Sequence, residues 1–85
     1  MTSNSPRLLQ VAKVLDVKGL NCPLPILKTK VAIRGIKPGQ ILQVLATDPH
    51  SVVDFEVYCV RTGHELIQTI KSDHTFQFLI RRTSD

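Results

Sequence analysis

Pro23 and Pro25 stand one residue apart, directly after Cys22, and no other feature narrows the fold of this chain as much. Proline has no backbone N–H, so it breaks a helix interior or a central strand. It is tolerated in the first turn of a helix, where the N–H groups have no intrahelical partner. The run therefore marks a helix start at about residue 23. Helical composition continues to Ile36, and Lys37-Pro38-Gly39-Gln40 supplies a stop and a turn. Upstream, Val11, Lys13, Leu15 and Val17 alternate with Gln10, Ala12, Val14 and Asp16, which is the period of a strand. The chain is thus expected to arrive as a strand, turn at Gly19, and leave as a helix, with Cys22 at the junction.

Residues 41–47 form a second strand, dense in β-branched and aliphatic side chains. Thr47-Asp48-Pro49 then starts a second helix, with Asp48 as its cap and Pro49 at its first position. That helix runs to about Arg61 and is closed by Gly63. Residues 64–71 and 75–82 read as strands joined at Ser72-Asp73-His74. The order β-α-β-α-β-β predicts an α/β (α+β) two-layer sandwich, a four-stranded mixed sheet with two helices on one face. With 85 residues there is room for one modest core. Residues 1–9 read as a flexible leader and 10–85 as a single domain.

Apolar residues at 42% against 21% charged place the chain among folding sequences and outside the disordered ones. No apolar run approaches the roughly 18 residues of a spanning helix, so no direct membrane contact and a cytoplasmic setting are expected. Cys22 and Cys59 match no zinc spacing and no Cys-x-x-Cys dithiol, and nothing calls for a metal or a cofactor. His50, His64 and His74 lie far from Cys22 in sequence, though any of them can approach it in space. The net charge of +4, with Lys28, Lys30, Arg34 and Lys37 close together, favours an acidic partner, protein or RNA; a solvated face is the simpler reading.

The nucleophile in sulfur chemistry is the thiolate, and an ordinary cysteine is only a few per cent ionised near neutrality. A helix start offers unpaired N–H donors and the positive end of the helix dipole, so Cys22 is expected to have a lowered pKa. The alternative is a small buried cysteine. Cys59 sits at helical spacing from Val52 and Phe55 and reads as core. The first helix carries two apolar stripes: Ile26, Thr29, Ile33 and Ile36 on one side, and Leu24, Leu27 and Val31 on the other. The first is assigned to the core because it persists to the helix end. The second, among Lys28, Lys30 and Arg34, is expected to be an exposed docking surface.

The segment Leu15-Asp16-Val17-Lys18-Gly19-Leu20-Asn21-Cys22-Pro23-Leu24-Pro25 resembles the hallmark of the TusA/SirA-like sulfur-carrier family. Lys37-Pro38-Gly39, Thr47-Asp48-Pro49, Cys59 with Gly63-His64-Glu65-Leu66, and Phe78-Leu79-Ile80-Arg81 look like further landmarks in the same order. The resemblance implies that Cys22 receives a sulfane sulfur as a persulfide and relays it. The donor would be a cysteine desulfurase or a rhodanese-type protein, and the recipient a downstream sulfur-acceptor protein, in one branch towards tRNA 2-thiouridine. Nucleic acid would be contacted indirectly at most, and the protein would be a sulfurtransferase-like carrier, not a stand-alone turnover enzyme. Gly19, Asn21, Pro23, Leu24, Pro25, Leu27, Lys28 and Val31 would form the binding surface around Cys22. Asn21 stands where the family often carries a basic residue, which leaves charge support for the sulfur to Lys18 or Lys28. The residues alone also admit a small RNA-binding module or a regulatory interaction domain.

Overall fold

The computed structural model describes residues 10–83, so the expected leader lies outside it. The elements are β1 (Val11–Asp16), α1 (Leu24–Ile33), β2 (Ile41–Ala46), α2 (Ser51–Thr62), β3 (Glu65–Ser72) and β4 (Thr75–Arg81). They form a four-stranded sheet of order β1-β2-β4-β3. β1 is parallel to β2, and β2–β4 and β4–β3 are antiparallel, which gives the expected mixed sheet.

The alternating pattern of β2 decides which face is covered. Leu42, Val44 and Ala46 pair with Ile80, Phe78 and Phe76 of β4, and this face meets the helices. From the helices come Ala32, Ile33, Phe55, Tyr58 and Cys59, with Ile36 just past α1. At the centre Phe55 stacks on Phe78, ring centroids 4.4 Å apart, and both are fully buried. The other face carries Gln43, whose amide donates to Gln77 across the strands at 2.8 Å.

α1 is shorter than its composition suggests. After Ile33 the chain tightens into successive turns, with the N–H groups of Arg34, Gly35 and Ile36 donating to the carbonyls of Val31, Ala32 and Ile33. Thr29, buried inside α1, satisfies its hydroxyl by donating to the Pro25 carbonyl at 2.8 Å. Of the stripe assigned to the core, Thr29, Ile33 and Ile36 are buried and Ile26 is half-buried against it, whereas Leu24, Leu27 and Val31 are exposed.

α2 departs from its expected start. Asp48 and Pro49 lie before the helix, and His50 occupies the cap position without a side-chain capping bond. Asp48 still organises the approach, because its Oδ1 accepts the His50 N–H at 3.1 Å and its carbonyl accepts the Ser51 N–H. Its second carboxylate oxygen is drawn elsewhere, to the loop that carries Cys22. At the other end Gly63 takes φ +85°, the left-handed conformation expected of a helix-closing glycine, and its N–H donates to the Cys59 carbonyl.

Candidate functional site

The loop between β1 and α1 is built in short steps. Val17 extends the ladder by donating to the Leu45 carbonyl, and the Leu20 N–H then closes a turn on the Val17 carbonyl. Gly19 lies in that turn at φ +85°, a region that side-chain-bearing residues avoid, and its N–H donates to Thr47 Oγ1 at 2.9 Å. Leu24 N–H reaches back to the Asn21 carbonyl, and Leu27 N–H to that of Pro23. Pro23 is the cap of α1 and Pro25 lies in its first turn, as proline chemistry requires. The Cys22–Pro23 peptide bond is cis, which no local pattern signalled. Between these fixed points Cys22 is exposed, and its own N–H donates to Asp48 Oδ2 at 2.8 Å.

The electrostatics reverse the expectation for the sulfur. Asp54, on the first turns of α2, stands beside the Cys22 thiol as hydrogen-bond acceptor and negative charge, and with partial desolvation and the Asp48 charge it raises the thiol above its ordinary value. The helix start is present, but two carboxylates outweigh it. Nor do the proposed lysines help. Lys18 pairs with Asp16 at 3.8 Å, and Lys28 lines a different groove. Asp48 is itself held below its usual range by the N–H groups of Cys22 and His50 that it accepts.

Two grooves flank α1, and they divide the expected site residues. Cys22 and Pro23 open into a groove of about 370 Å³ between the helices, walled by Ile26, Lys30, Asp54, Val57 and Arg61. Leu24, Leu27, Lys28 and Val31 line a second groove of about 460 Å³ on the other flank of α1, against Lys13 and Leu15 of β1. The docking stripe therefore begins next to the sulfur along the chain but faces away from the space into which it opens. Gly19 and Asn21 shape the loop, and Pro25 is buried in α1. The α2 wall escaped sequence reading. Val57 of that wall sits at helical spacing with Val53 and Val60, and all three remain exposed, a pattern that marks a second apolar face on that helix.

Cys59 is buried, and burial pushes its thiol up to about 11, which fits a core residue and not a reactive one. His64 is buried just before β3, and its Nδ1 accepts the Thr83 N–H at 3.1 Å. Among the described residues no cluster of His, Cys, Asp and Glu has the makings of a metal centre. Among the described residues no helix is long and apolar enough to cross a membrane.

The Sulfurtransferase TusA family matches residues 13–82. The chain is 46% identical to the sulfur carrier protein TusA of Allochromatium vinosum over 69 residues, covering 81% of this chain and 91% of that one. It is 40% identical to the sulfur carrier protein TusA of Pseudomonas syringae pv. tomato over 77 residues, or 91% and 92% of the two chains. The fold is that of a SirA-like protein from Desulfitobacterium hafniense, whose crystal structure matches with a TM-score of 0.72 at 18% identity, over 85% of this chain and 99% of that one.

Proposed function

This chain belongs to the TusA sulfurtransferase family, and from that premise we propose that it is a sulfur carrier whose Cys22 holds the sulfur as a persulfide. The observation that carries the reading is the contrast between its two thiols: Cys22 stands exposed on a hydrogen-bonded loop, whereas Cys59 is sealed in the core. On this reading residues 10–85 act as one carrier domain in the cytoplasm.

In the loading step the Cys22 sulfur attacks the terminal sulfur of a donor persulfide. A bond forms between the two, the donor's own S–S bond breaks, and its electron pair leaves with the donor cysteine, which takes up the proton that Cys22 gave up. In the unloading step an acceptor thiolate attacks the same outer sulfur, and Cys22 departs as the leaving group. Neither step changes the net oxidation state. The donor class is a cysteine desulfurase or rhodanese-type protein, the acceptor a second thiol protein, and tRNA 2-thiouridine is one destination of such a relay.

Asp54 gives the cycle a control point. While its carboxylate faces the thiol, the reactive thiolate fraction of Cys22 is held down in the free protein. A partner that brings a cation to Asp54, or takes over its hydrogen bond, lowers the pKa on docking. That makes Cys22 both a better-populated nucleophile and a better leaving group. Leu24, Leu27, Lys28 and Val31 offer the second flank of α1 to the same partners.

The test is incubation with a cysteine desulfurase and cysteine, followed by mass spectrometry of the intact chain. An adduct of about 32 Da, one sulfur atom, should form on the wild type and be absent from Cys22→Ser. An adduct that persists in Cys22→Ser, or none on the wild type, overturns the reading.

A further inference from the structure

Beyond the Cys22 groove, and sharing its Lys30 and Tyr58 walls, lies a cleft of about 410 Å³ that the sulfur chemistry leaves unused. Lys30 and Arg34 reach it from α1 and the turn after it, and Arg82 from the end of β4. The ion pairs found among the described residues, Lys18 with Asp16 and Arg81 with Glu65, involve none of these three cations, and no carboxylate lines the cleft. Arg82 is held in place by donating to the Ile36 carbonyl. The fourth group is Tyr58. The residue is 6% exposed, packs on the core through its ring and lines the cleft, and its hydroxyl is not among the sealed, unpartnered polar atoms. Arg34 lies near enough to oppose the burial that raises the Tyr58 pKa.

The Tyr58 hydroxyl is free to donate into the cleft, and three cations with no carboxylate among them concentrate positive potential there. An oxoanion answers both features. We propose that this cleft is a binding site for a phosphate-class oxoanion, held by the cations of Lys30, Arg34 and Arg82 and by the Tyr58 hydroxyl as donor. Guanidinium groups match the oxygen spacing of phosphate with paired N–H donors, and the volume accommodates one or two phosphoryl groups. The assignment is independent of the carrier reading, because no atom of Cys22 takes part. The phosphate can be that of a small free polyphosphate or of a nucleic-acid backbone.

The test is an NMR titration of the ¹⁵N-labelled full chain with inorganic pyrophosphate at constant ionic strength, and in parallel with a short oligouridylate. Saturable shifts of the Lys30, Arg34, Tyr58 and Arg82 amides are expected. Arg34→Gln and Tyr58→Phe should each weaken binding, the former by about tenfold, whereas Lys18→Gln should not. Binding of pyrophosphate alone assigns the site to free phosphates. Tighter binding of the oligouridylate, lost in the same variants, assigns it to a nucleic-acid backbone. Shifts that do not saturate with either probe, or that survive in folded Arg34→Gln, overturn the site.

Discussion

The backbone N–H of Cys22 donates to Asp48 Oδ2 at 2.8 Å, a bond that ties the cysteine loop to the segment leading into α2, 26 residues on. The same carboxylate accepts the His50 N–H, so one side chain fixes the approach to both helices. The price of this anchor is a negative charge near the sulfur.

Asp48 should therefore make the fold acid-sensitive. Its pKa is lowered in the folded state from 3.8, so the stabilisation it provides is complete above the unfolded value and lost as pH falls through the folded one. Asp48→Ala should lower the urea midpoint at neutral pH and flatten its decline below about pH 4. An unchanged midpoint across that range would show that the anchor contributes nothing.

Asp54→Asn should make Cys22 more reactive. Removing the largest cause of the raised pKa moves the inflection of iodoacetamide alkylation to lower pH, and the rate at pH 7 should rise severalfold in the free protein. Wild type and variant should converge at high pH, where both thiols are ionised. A pH profile identical to wild type would remove Asp54 from the control of the sulfur.

Cys59 should stay silent until the chain unfolds. Native alkylation is expected to give a single adduct, on Cys22, and alkylation in denaturant two. Its thiol titrates at about 11 when folded against 9.0 otherwise, so the folded state retains a proton that the unfolded state gives up. Stability should then fall between those values as pH rises, and Cys59→Ala should reduce that slope, leaving the parts due to Cys22 and Tyr58, which are shifted in the same direction.

Phe55→Ala should test the core. Phe55 is fully buried, stacks on Phe78 and meets Tyr58 edge-on at 6.5 Å, so truncation removes both ring contacts and leaves a cavity. A loss of about 3–5 kcal/mol in chemical denaturation is expected. Val31→Glu, on a residue 72% exposed, should change stability by less than about 0.5 kcal/mol.

Most of the architecture was legible along the chain. Strand and helix periods, the tolerance of helix starts for Pro23 and Pro25, and the left-handed Gly63 are set by residues within a turn or two of one another. The core stripe of α1 was legible for the same reason, since Thr29, Ile33 and Ile36 fall on the face that a neighbouring sheet must cover. Cys22 as the exposed thiol followed from its place at the mouth of that helix.

What the sequence could not decide is the company the sulfur keeps. Local reasoning put Cys22 against a helix dipole and assigned Asp48 to its own helix. Packing α2 beside α1 instead brought Asp48 to the Cys22 N–H and Asp54 to its thiol, and turned the expected pKa shift around. The same packing set the Leu24, Leu27 and Val31 stripe on the far flank of α1 from the Cys22 groove. Charges act through space and fall off with distance, not with separation along the chain, so the position of the sulfur was written in its neighbours while its reactivity was decided only when the two helices met.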